Sequence, residues 1–72
     1  MGMISGMIRL NGEGAELSAA TIAELLAQNG IEIDGKGIAV ALNGHVVRRQ
    51  DWTQTKIAPG DDVEIVRVRQ GG

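Results

Sequence analysis
The sequence predicts an α+β domain, a mixed β-sheet with one main helix, in the order β-β-α-β-β-β. Three observations predict it. Alternating apolar segments near both ends, residues 7–10 and 63–68, read as strands. Ile22, Leu25 and Leu26 share one helical face at i, i+3, i+4. Asn43-Gly44 sits between two apolar runs and is the strongest hairpin signal in the chain.

The elements follow in order. Residues 1–6 look like an added extension, and Met7 opens the first convincing strand. Asn11-Gly12-Glu13-Gly14 reads as a turn, with Ala15-Glu16-Leu17 returning as the second strand of a hairpin. Thr21-Ile22-Ala23-Glu24 fits a capping box, with Ser18 as a competing cap, and Gly30 is a left-handed stop. Ile31 and Ile33 complete the core under the helix, and residues 34–37 form a loop. Ile38-Ala39-Val40-Ala41-Leu42 is a continuous apolar run, expected to be covered on at least part of both faces. His45-Val46-Val47 is its short hairpin partner. One helical turn fits residues 48–52, with Trp52 capping the core edge and Ile57 pointing inward. Pro59-Gly60 turns the chain into the last strand. There, alternation puts Val63 and Ile65 in the core and Glu64, Val66 and Val68 outside. A first hairpin, a helical crossover and a last β-branched strand together describe a β-grasp, ubiquitin-like roll. Residues 7–70 form the domain. Gly71 and Gly72 form a flexible tail, thin enough to thread into a narrow partner site.

Composition narrows the function. A chain of 72 residues is one small domain, burying only about 60% of the surface its unfolded form exposes. It has little room for an internal active site. No cysteine and a single histidine exclude a disulfide framework, a nucleophilic thiol and a multi-histidine metal site. Seven basic against nine acidic residues, with one aromatic side chain, argue against nucleic acid as a partner. No apolar run is long enough to span a membrane, and no secretory signal is visible, so the expected location is cytoplasmic.

Candidate chemistry is sparse. His45 lacks an evident nucleophile, Arg48-Arg49 reads as a solvated pair, and Asp61-Asp62 reads as turn chemistry. Neither Gly12-Glu13-Gly14 nor Gly35-Lys36-Gly37 has the context of a phosphate loop. The chain reads as a carrier or binding module rather than an enzyme, with no cofactor of its own.

Several motifs together resemble a known family. They are Val40-Ala41-Leu42-Asn43-Gly44-His45-Val46-Val47, then Arg49-Gln50-Asp51-Trp52, then Pro59-Gly60-Asp61-Asp62-Val63-Glu64-Ile65-Val66, then Gly71-Gly72. With the helix at Thr21-Ile22-Ala23-Glu24-Leu25-Leu26, they are similar to the sulfur carrier proteins of thiamin biosynthesis, the ThiS family. Arg48 is a departure, since proline is common there in that family.

The resemblance implies a specific chemistry. A ubiquitin-activating-type adenylyltransferase would convert the Gly72 carboxylate to an acyl-adenylate. A persulfide enzyme would supply sulfur, leaving a C-terminal thiocarboxylate that donates it to thiazole synthase. Gly71 would let the tail lie extended in these partners. Val66, Val68 and Glu64 would form the docking patch, by analogy with ubiquitin-like proteins. Other sulfur carriers, such as the small subunit of molybdopterin synthase or a carrier for cysteine synthesis, share the tail chemistry. A ubiquitin-like modifier and a non-catalytic ubiquitin-like interaction module are the remaining readings.

Overall fold
The last strand of the chain is the middle strand of the sheet. The computed structural model describes residues 6–31 and 37–67. Strand β5 (Asp62–Arg67) lies between β1 (Met7–Leu10) and β3 (Ile38–Leu42). β2 (Glu13–Glu16) and β4 (His45–Val47) take the two edges, giving the order β2-β1-β5-β3-β4. β1 and β5 are parallel and the other neighbours antiparallel, so the sheet is mixed as expected. Helix α1 (Ile22–Gln28) lies in the chain between β2 and β3. The expected calls at residues 1–5, at Ile33 and the loop 34–36, and at 68–72 lie outside the described residues.

The first hairpin is tighter than the sequence reading. Asn11 and Gly12 carry φ of 54° and 84°, which supply both positive dihedrals of a two-residue turn. Glu13 therefore pairs directly with Leu10, and β2 begins there rather than at Ala15. Leu17 follows the strand, and its N–H donates to the Gly6 carbonyl at 2.8 Å.

The helix starts and stops by named contacts. Thr21 is the N-cap, its Oγ1 accepting from the Glu24 N–H at 3.2 Å. The Glu24 carboxylate reaches back to the Ala20 N–H at 2.8 Å, one residue beyond the usual capping box. Ser18 is not the cap; its hydroxyl and carbonyl bond Gln28 at the far end of the helix. At the C-terminus Gly30 has φ of 77°. Gly30 N–H donates to Ala27 and Ile31 N–H to Leu26, the pair of bonds of a Schellman motif. Ile22, Ala23, Leu25 and Leu26 are buried against the sheet side chains Ile8, Val40 and Val63.

Two expectations about the core are corrected. Trp52 is 1% exposed, so it is a core residue and not an edge cap. The short 3₁₀ turn Arg49–Asp51 swings it inward, where its indole N–H donates to the Val47 carbonyl at 2.9 Å. The uninterrupted apolar run of β3 does not reflect cover on both faces. Val40 is buried while Ala39 is exposed and Ala41 half-exposed. Two small alanines on the outer face imitate the pattern of a doubly covered strand. Ile57 is buried, as the sequence suggested.

Asn43 ties the second hairpin to β5. At φ of 53° it occupies a left-handed position that asparagine tolerates better than most residues. Its main-chain N–H donates to the Asp62 carbonyl at 2.7 Å. Its side-chain oxygen accepts from the Asp62 N–H at 2.8 Å, and its amide nitrogen donates to Asp61 Oδ1 at 3.0 Å. Asn43→Gly relieves the backbone but removes both side-chain bonds. It should cost about 1–2 kcal/mol, lowering the melting temperature by about 5–15 °C; an unchanged melting curve would refute the tie. Arg48 sits at φ −68° and ψ 150°, dihedrals proline prefers, just past the end of β4. Its ion pair with Asp51, 3.5 Å long, is largely exposed and contributes little. Arg48→Pro should therefore stabilise the fold by about 0.4–1 kcal/mol, measured by urea denaturation.

Candidate functional site
The expected sulfur-bearing residue Gly72, its neighbour Gly71, and Val68 of the docking patch lie outside the described residues. What the structure positions is the strand that leads to them. Val63 is fully buried and Ile65 half-buried on the helix side, whereas Glu64 and Val66 are exposed on the other face. The alternation read from the sequence thus holds from Val63 through Val66.

The outer face around Val66 is broader than the sequence reading. The register sets Ala39 opposite Val66, and Ala41 opposite both Glu64 and Val46. Val66 is 53% and Val46 77% exposed, the latter the most exposed large apolar side chain among the described residues. A stripe of small and branched apolar groups therefore crosses β4, β3 and β5, with Glu64 as its charged member. Sequence reasoning missed Val46 and the alanines. The signal was the hairpin register itself, since a two-residue turn at Asn43-Gly44 fixes which residues share a face.

Asp61 and His45 do not converge on a site. Asp61 accepts from Asn43 through one oxygen and from the Ala58 N–H at 2.8 Å through the other. His45 is exposed on the edge strand. Among the described residues no cluster of three His, Asp or Glu could hold a metal ion, and no cavity is enclosed. The helix N-terminus is also occupied. The Ile22 and Ala23 N–H groups donate to the carbonyls of Thr55 and Trp52, at 3.0 and 3.1 Å, and Glu24 N–H to Thr21. Those donors, which elsewhere cradle phosphate, are spent within the fold.

β5 is held on its two sides by the two hairpin asparagines. Asn43 engages Asp62 as described. On the opposite side the Asn11 N–H donates to the Val63 carbonyl at 2.9 Å, and Asn11 Oδ1 accepts from the Ile65 N–H at 2.7 Å. The strand leading to the C-terminus is therefore fixed in register against both neighbours. Among the described residues no helix is long and apolar enough to cross a membrane.

The chain is 38% identical over 66 residues to the sulfur carrier protein ThiS of Thermus thermophilus, covering 92% of this chain and 100% of that protein. The fold matches a crystal structure of the thiamine biosynthesis protein ThiS from Geobacter metallireducens, with a TM-score of 0.75 and 28% identity over 92% of this chain and 99% of that one. A solution structure of a thiamine biosynthesis protein from the same organism gives a TM-score of 0.71 at 27% identity, covering 92% and 87%. The expected β-grasp, ubiquitin-like roll is thus the observed fold. The family model for ThiS matches residues 8–72, nearly the whole chain, and the protein belongs to the ThiS family.

Proposed function
We propose that this protein carries sulfur on its C-terminal carboxylate for thiazole formation in thiamin biosynthesis. The observation that carries the reading is that the family match runs to residue 72, through Gly71 and Gly72. Similarity to a sulfur carrier along the whole length of that relative supports it.

The chemistry follows from what a carboxylate lacks. Gly72 ends in a poor acylating group. An adenylyltransferase of the ubiquitin-activating type lets the carboxylate attack the α-phosphate of ATP, releasing pyrophosphate and forming an acyl-adenylate. A protein persulfide then attacks the acyl carbon and AMP departs, leaving an acyl disulfide. A second thiol on the donor attacks that disulfide, is itself oxidised into a new disulfide, and frees the thiocarboxylate. Thiazole synthase accepts the sulfur. None of these steps asks for a side chain of this protein. That suits a chain whose described helix N-terminus is already spent within the fold. Glycine at both terminal positions leaves no Cβ to obstruct a narrow channel. The outer stripe of Val66 and Glu64, continued in sequence by Val68, serves as the docking face for these partners.

Incubation with ATP, sulfide and a thiamin-type activating enzyme tests the central step. Intact mass should rise by the replacement of one oxygen by sulfur, and deletion of Gly72 should abolish the gain without altering the melting temperature. An unchanged mass, with the enzyme active on its own carrier, refutes the reading. Val66→Asp should weaken binding to the activating enzyme at least tenfold while shifting stability by less than about 0.5 kcal/mol, as for other surface substitutions. Equal binding would remove Val66 from the docking face.

A further inference from the structure
We infer that β5 carries an open β-edge, beginning at Ile65, that pairs with an extended segment of the protein holding the tail. The inference rests on the carrier reading and adds a second, backbone-directed contact to the apolar face.

Three hydrogen bonds fix which way the backbone of β5 points. Arg9 N–H donates to Asp61 O, Asn11 N–H to Val63 O, and Ile65 N–H to Asn11 Oδ1. The odd-numbered residues of β5 thus direct their amides and carbonyls toward β1. The even ones face β3, as the Asn43 N–H to Asp62 O bond shows. Yet β1 pairs with β5 only at Asp62 and Val63, because the chain turns back at Asn11-Gly12. β3 accompanies β5 as far as Arg67. From the Ile65 carbonyl through the N–H and carbonyl of Arg67, one side of a central strand therefore has no neighbour among the described residues. Asn11 satisfies the last amide before the gap, and the gap begins where β1 stops. This is the geometry that accepts an added strand.

The position of the gap indicates its occupant. Five residues separate Arg67 from the terminal carboxylate, a reach of no more than about 18 Å. A protein that closes around that carboxylate therefore comes within that distance of Arg67, next to the unpaired edge. A second copy of this chain fits poorly. Each copy's β1–β2 hairpin fills the slot on the N-terminal side, so only the same few residues could pair, and Arg67 would meet Arg67 across the seam. A partner strand bearing Asp or Glu opposite Arg67 meets both requirements.

Proline at position 67 separates this edge from the rest of the fold. The Arg67 amide points away from β3, so Arg67→Pro removes no ladder bond and should leave the domain folded. Against the activating enzyme of the mass assay, Arg67→Pro should raise Kd at least tenfold above the Arg67→Ala control. In wild type, the Arg67 amide should exchange at least tenfold more slowly in the complex than in the free chain, with the Val66 amide, already in the β3 ladder, as reference. Equal Kd for the two variants, or an unprotected Arg67 amide, overturns the inference. A wild-type dimer abolished by Arg67→Pro, with enzyme binding unaffected, assigns the edge to a second copy and also overturns it. If Arg67→Pro melts early, amide exchange in wild type decides alone. A wild-type chain that gains no mass in the same mixture refutes the carrier reading itself.

Discussion

The structure depends on how β5 is anchored. A strand paired to an early parallel neighbour and to a late antiparallel one must be registered twice, and a slip of one residue would turn Val63 out of the core. The two turn asparagines prevent that slip. Each holds a positive φ in its own hairpin and spends its side chain on β5, Asn11 at Ile65 and Asn43 at Asp62. Asn11 to Ile65 spans 54 positions of the chain, so local turn chemistry is converted directly into long-range order.

The helix is secured by a similar economy. Carbonyls of Trp52 and Thr55 receive its first amides, Ile57 N–H returns to the Ala20 carbonyl, and the Trp52 ring fills the core beneath. The segment between β4 and β5 has little regular structure, yet it closes the helix N-terminus and supplies two buried side chains, Trp52 and Ile57. Grip on the helix comes from this segment as much as from the sheet. The outer face of the sheet is left free for Val46, Ala39, Ala41 and Val66.

Much of this was legible in the sequence. The capping pair Thr21 and Glu24, the stop at Gly30, the Asn43-Gly44 turn and the alternation of Val63 to Val66 each rest on local chemistry, and local chemistry survives folding. The misreadings had long-range causes. Glu13 and Gly14 looked like turn because the strand they join is only four residues long. β3 looked doubly covered because alanine is apolar whether or not anything packs on it. Trp52 looked peripheral because its inward path depends on a 3₁₀ turn and on an acceptor at Val47, neither of which leaves a periodic trace. Of the candidate site, alternation marked Val66, whereas the contributions of Val46 and Ala39 required the register.

Placing the last strand in the middle of the sheet has a consequence for synthesis. A chain released before residue 62 would lack Val63, which is fully buried, and would leave both turn asparagines without their partners on β5. β1 and β3, which never touch directly in the sheet order, would have nothing to join them. Prematurely terminated copies would therefore stay unfolded and open to proteolysis rather than persist as folded decoys. Folding thus screens out chains that stop short of β5, the strand that leads to the end the proposed chemistry uses.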